Sequence, residues 1–84
     1  MKCTVYRSNK KEMTYLYLPV EHEDFAKVPA ELMKMVEPLE QVLEFDLTPE
    51  RKLASEDPKE VLKQLESQGW YLQISNDLYR HNAS

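Results

Sequence analysis

The first nineteen residues, MKCTVYRSNKKEMTYLYLP, decide the fold. Residues 2–8 and 13–19 are rich in Val, Thr, Tyr and Leu, with polar residues between them. β-branched and aromatic side chains suit a half-buried pleated surface, so the two runs read as antiparallel strands. A four-residue loop from Asn9 to Glu12 sets Tyr6 opposite Tyr15, Val5 opposite Leu16 and Cys3 opposite Leu18. Strand side chains alternate. One face is then expected to carry Cys3, Val5, Leu16 and Leu18, and the other Thr4, Tyr6, Tyr15 and Tyr17. A slip of one residue would exchange every side chain between faces.

Outward from the hairpin, Val20 to Asp24 is an acidic connection. From Asp24 to Val36, the residues Phe25, Val28, Leu32, Met35 and Val36 recur at spacings of three and four, which is one face of a helix. Pro29 suits a first helical turn, so the main helix is expected over residues 29–36, with a short helical turn at 24–27. Pro38 to Leu47 reads as a third strand, and Thr48-Pro49-Glu50 as a turn. Asp57-Pro58-Lys59-Glu60 is a helix start: Asp57 as N-cap, Pro58 at the first position, Glu60 at the third. Val61, Leu62 and Leu65 form its apolar stripe. Gly69 tolerates the left-handed conformation that stops a helix. Trp70 to Ser75 alternates as a last strand, and residues 76–84 show no periodicity and are expected to be a disordered tail.

The order is β-β-α-β-α-β. It predicts an α+β fold: a single-domain α/β sandwich over residues 1–75, with a mixed sheet of about four strands. The third and fourth strands flank a helix and are expected as parallel neighbours through a crossover.

Composition bounds function. Eighty-four residues make one domain. A chain of this size buries only about 60–65% of its unfolded surface, which leaves no room for a large cofactor. A formal net charge of −4 opposes non-specific binding to nucleic acid or anionic lipid. Cys3 is the sole cysteine, which fits a reducing cytoplasm and excludes a cysteine-rich zinc site. No apolar run approaches the roughly 20 residues that span a bilayer. The single glycine, Gly69, excludes a glycine-rich phosphate loop.

Several segments carry the resemblance to a known family. They are V-Y-R-S-x-K-x-x-x-T-Y-L-Y near the start, D-F-x-x-V-P-x-E-L-M-K from Asp24 to Lys34, and R-K-L-A-x-x-D from Arg51 to Asp57. V-x-x-x-L-x-x-Q-G-W-Y-L-Q then ends at Gln73. In this order they resemble the YcgL family of small gammaproteobacterial proteins, over roughly residues 3–74. The resemblance implies a cytoplasmic α/β sandwich. It carries over no reaction, cofactor or catalytic residue. Family members often have a glycine after the L-M-K block, where this chain has Met35-Val36-Glu37-Pro38, so the end of the first helix is left open.

The candidate binding residues are Tyr6, Tyr15 and Tyr17 on the hairpin, Arg7, Lys10 and Lys11 at its tip, and Arg51 with Lys52. Aromatic rings with adjacent cations can stack bases and hold phosphates, as single-strand binders do. The plainer reading is that a helix covers the tyrosines, because aromatic residues commonly fill cores. Arg51 and Lys52 precede a helix start and could hold an anion. They equally suit surface pairs with Glu50, Glu56 or Asp57. Val20-Glu21-His22-Glu23-Asp24 lacks the histidine pair of a zinc helix and the glycine of a calcium loop, and reads as a solvated acidic segment. His81 lies in the tail without a partner. Cys3 is expected to point inward as a small hydrophobe. Ser8, Ser55, Ser67 and Ser75 show no nucleophile-elbow pattern.

The leading expectation is a non-enzymatic cytoplasmic module that binds a protein partner through the hairpin and its basic tip. It has no metal or cofactor and no membrane association. The alternative is a nucleic-acid-associated factor, or a small metal-dependent nuclease using Asp24, Asp46 and Asp57.

Overall fold

Strand β1 spans Lys2–Ser8 and β2 spans Thr14–Pro19 in the computed structural model, which describes residues 1–22, 24–53 and 56–74. The expected tail and Ser75 lie outside the described residues. Short 3-10 turns at Val20–His22 and Phe25–Lys27 lead to helix α1, Ala30–Val36. Strand β3 spans Leu39–Asp46, helix α2 spans Pro58–Gln68, and β4 spans Tyr71–Ile74. The element order is the expected one. Helix α2 starts and stops as its sequence directs. The Asp57 carboxylate accepts the Lys59 N–H at 3.0 Å, Pro58 opens the helix, and Gly69 ends it at φ +87°. Helix α1 differs in one respect. Pro29 is its cap rather than its first helical residue, and Glu37 turns extended after donating its N–H to the Met33 carbonyl.

The sheet order is β3-β1-β2-β4, and every neighbouring pair is antiparallel. The mixed sheet expected from the sequence is therefore not formed. Strands β3 and β4 are not parallel neighbours; they sit on opposite edges, with the hairpin between them. The physical reason is that β1 pairs with β3 from Lys2 to Ser8, taking the place a crossover would give to β4.

The hairpin register also differs by one residue. Cys3 faces Pro19, Val5 faces Tyr17, Tyr6 faces Leu16 and Arg7 faces Tyr15. The connection has five residues, Asn9 to Met13, and Met13 adopts φ 57°. That extra residue moves the whole of β2 by one position and exchanges its faces. Consequently Cys3, Val5, Tyr17 and Phe45 pack with Val61 and Leu65 of α2, with Tyr15, Leu53, Leu62 and Tyr71 around them. Leu16 and Leu18 pack with Val28, against Leu32 and Met33 of α1 and against Tyr6, Leu39, Trp70 and Leu72. One helix covers each face, so the architecture is a three-layer sandwich with two cores.

Candidate functional site

The hairpin tip is a built structure rather than a loose loop. The Ser8 hydroxyl accepts the N–H of Lys10 at 3.2 Å and of Lys11 at 2.9 Å, and donates to the Val36 carbonyl at 2.6 Å. One hydroxyl thereby uses its donor and both acceptor positions. The Asn9 N–H donates to the Pro38 carbonyl at 2.9 Å. Lys10 Nζ donates to the Lys34 carbonyl at 3.1 Å, in the last turn of α1. The tip is thus latched to the end of α1 and the start of β3. Lys10, Lys11, Lys34 and Met35 line an open depression there, and Met35 is half exposed.

The latch makes a prediction. Ser8→Ala leaves the Val36 carbonyl and two amides without their partner. It is expected to cost about 2–3 kcal/mol. It should also speed hydrogen exchange at Lys10 and Lys11 while leaving α2 amides unchanged. Unaltered exchange at the tip would show that Ser8 does not hold it.

The sequence-predicted residues divide in space. Tyr6 lies on the α1 face, edge-on to Phe25 at 5.1 Å. Tyr15 and Tyr17 lie on the α2 face. The shared tyrosine face is therefore not formed, because the register sends Tyr6 to the opposite side. Tyr17 is buried, edge-on to Phe45 and Tyr71, and its phenol donates to Gln73 Oε1 at 2.6 Å. Burial pushes the Tyr17 phenol up to about 12. Burial, a hydrogen bond with Glu56 and that carboxylate's charge push Tyr71 to about 12. Cys3 points inward, and burial raises its thiol to about 11.

The cations divide too. Arg7 bonds Glu40 across β1 and β3 at 2.8 Å. The Arg51 guanidinium stacks 4.6 Å from the centre of the Phe45 ring. Phe45 pairs with Cys3, five residues along β1 from Ser8, or about 16 Å at strand rise. Arg51 and the tip are thus separate features, and Lys52 is exposed beside Arg51. Sequence reasoning missed Lys34 and Met35. The available signal was that Lys34 stands in the last turn of its helix, next to the point where the hairpin must return.

The carboxylates do not converge. Asp24 accepts the Ala26 N–H at 2.9 Å and Asp57 caps α2, while the exposed Asp46 lies 3.4 Å from the Met1 amine. No group of three or more His, Cys, Asp or Glu suited to a metal gathers among the described residues. The site expected for a metal-dependent nuclease at Asp24, Asp46 and Asp57 is therefore not assembled. No described helix is long and apolar enough to cross a membrane.

A family profile, the YcgL domain, matches residues 3–76. The chain belongs to the YcgL domain family. A YcgL domain-containing protein of Thioalkalivibrio sulfidiphilus is 46% identical over 74 residues, covering 88% of this chain and 90% of that protein. One from Pectobacterium carotovorum is 40% identical over 74 residues, covering 88% and 86%. A protein of Nitrosococcus oceani named "Putative HAD-like hydrolase" is 39% identical over 80 residues. The match takes in 95% of this chain but only 21% of that protein, so the YcgL domain chain spans about a fifth of that relative's length.

Proposed function

We propose that this YcgL domain is a non-enzymatic cytoplasmic module that docks a protein partner at the latched hairpin tip. The observation that carries the reading is the Ser8 latch, which gathers Lys10, Lys11, Lys34 and Met35 into one basic and apolar patch on a chain of net charge −4. A pre-ordered patch loses little conformational freedom on binding. Exposed cations around an apolar centre suit an acidic partner surface and speed encounter with it. Arg7 is engaged by Glu40 and plays no direct part. The Nitrosococcus relative supports the reading, since there a similar segment accompanies a much longer chain.

The test is an unbiased pull-down with the full chain and a Lys11→Glu, Lys34→Glu double variant. A specific protein is expected to co-purify with the unaltered chain, and its recovery should fall about tenfold or more with the variant. The variant's Tm should stay within about 3 °C, as exposed substitutions usually allow. Equal recovery of the same partner by both proteins would reject the tip as the docking surface.

A further inference from the structure

At the end of the sheet away from the tip, β1 begins, β2 enters its 3-10 turn and α2 stops. A cleft of about 560 Å³ lies there, lined among others by Pro19, Glu21, Lys27, Leu65, Glu66 and Gly69. That volume falls within the range of small-molecule sites, roughly 300–1,000 Å³. Pro19 and Leu65 are buried and give it an apolar floor.

Gly69 shapes one wall. A Cβ on it would stand 2.8 Å from Cδ of Lys27 and 3.5 Å from Nζ. The Lys27 stem therefore lies flat across the glycine, with its ammonium at the carbonyl end of α2, where a cation is favoured. Lys27, Glu21 and Glu66 are exposed and make no ion pair with any described residue. Lys2, also on the lining, is shared with Glu44 at 3.6 Å. The Met1 amine, on the lining as well, is held by the Leu47 carbonyl at 2.8 Å and by Asp46 at 3.4 Å. The lining thus holds three cations, of which Lys27 alone has no carboxylate partner among the described residues, and two carboxylates around apolar surface. A simple anion there meets Glu21 and Glu66, and a simple cation meets Lys27. A molecule that carries both charges on one apolar body satisfies each wall.

We propose that this cleft binds a small zwitterion of the amino-acid class. The ligand's carboxylate lies on Lys27, its ammonium on the carboxylates of Glu66 and Glu21, and its apolar part on Pro19 and Leu65. The site is independent of the hairpin tip.

The experiment is an amide NMR titration of the full chain with three probes. These are free L-leucine, isocaproate (which lacks the ammonium) and isoamylamine (which lacks the carboxylate). Leucine is expected to give saturable shifts at Leu65 to Gly69 and at Lys27. Each half-ligand should bind about tenfold more weakly or worse. Lys27→Ala and Glu66→Gln should each weaken leucine binding by a similar factor, while Lys11→Glu, at the far end, leaves it unchanged. The absence of saturable shifts up to about 20 mM, well beyond the millimolar range of weak specific sites, would overturn the proposal. So would half-ligands that match leucine, or shifts centred away from α2's last turn.

Discussion

Leu18→Ala is expected to lower the free energy of unfolding by about 3–5 kcal/mol, the upper part of the range for buried leucine truncations. Leu18 is fully buried. It stands on the α1 face of the central strand pair, packed with Leu16 and Val28 and flanked by Leu32, Met33 and Leu72. An alanine there loses the transfer free energy of three carbon atoms. It also leaves a cavity that can close only by moving a strand hydrogen-bonded on both sides, since β2 lies between β1 and β4. A chain of this length has a total stability of only about 4–12 kcal/mol. The substitution therefore removes a quarter or more of it, and should lower Tm by roughly 15–30 °C. The matched control is Leu43→Ala. Leu43 is 49% exposed on the edge strand β3 and should cost under about 1 kcal/mol. Urea unfolding of both variants makes the comparison. Equal costs would mean that the α1 face of the sheet is not a closed core.

Leu18 also shows where the sequence was legible and where it was not. Element order came from local signals with local causes: Asp57 and Pro58 at the start of α2, Gly69 at its end, and the spacing of three and four before Val36. Each of those signals is satisfied within a few residues, so no tertiary knowledge was needed. Register depended on something non-local. Alternation fixes a strand's faces when one side meets water, but here helices cover both. Thr4 reads as a residue for an open face. In the structure it is 1% exposed and stands opposite Leu18, with no hydrogen-bond partner for its hydroxyl. Nothing polar separates the two faces, and a four-residue loop places Tyr6, Tyr15 and Tyr17 together. The true pairing put Tyr6 on one side and Tyr17 on the other. The site followed the same division. Lys10 and Lys11 were visible as a basic tip. Ser8, by contrast, acts through the Val36 carbonyl, 28 positions away, and no pattern within the hairpin reports that bond. Sheet order was illegible for a related reason: whether β1 accepts β3 or leaves its edge to β4 is settled by packing across the whole chain.

Raising the pH is expected to destabilise the domain in steps that identify its buried acids. Cys3 ionises near 9.0 when unperturbed and about 11 when folded. Tyr17 and Tyr71 move from 10.0 to about 12. In each case the unfolded chain gives up its proton first. Between the two values the folded state binds more protons, so stability falls as pH rises. The contribution of these groups is complete below pH 9, where all three are protonated in both states. It begins to fall above pH 9 through Cys3, falls faster above pH 10 as the tyrosines join, and is lost by about pH 12. Each proton contributes a slope of about 1.4 kcal/mol per pH unit. Cys3 and Tyr17 are almost wholly buried and carry most of that weight, whereas Tyr71 is partly exposed and carries less. By pH 11 the loss should be on the order of 3–4 kcal/mol, comparable with the Leu18 truncation. Two variants separate the steps. Cys3→Ala should remove the decline between pH 9 and pH 10 and lessen, without abolishing, the one above it, because Cys3 still titrates up to about pH 11 and its thiolate helps to raise Tyr17. Tyr17→Phe should keep the first and flatten the second, at a neutral-pH cost of about 1 kcal/mol or more for the lost bond to Gln73. Urea midpoints across this range, with tyrosinate absorbance recorded alongside, give both slopes. A stability that holds level from pH 9 to pH 11 would mean that water reaches the Cys3 thiol and the Tyr17 phenol in the folded state, and the core between β1, β2 and α2 would then not be sealed. If the decline appears as described, the same burial keeps Cys3 a thiol at neutral pH, so alkylating reagents should reach it only as fast as the chain opens.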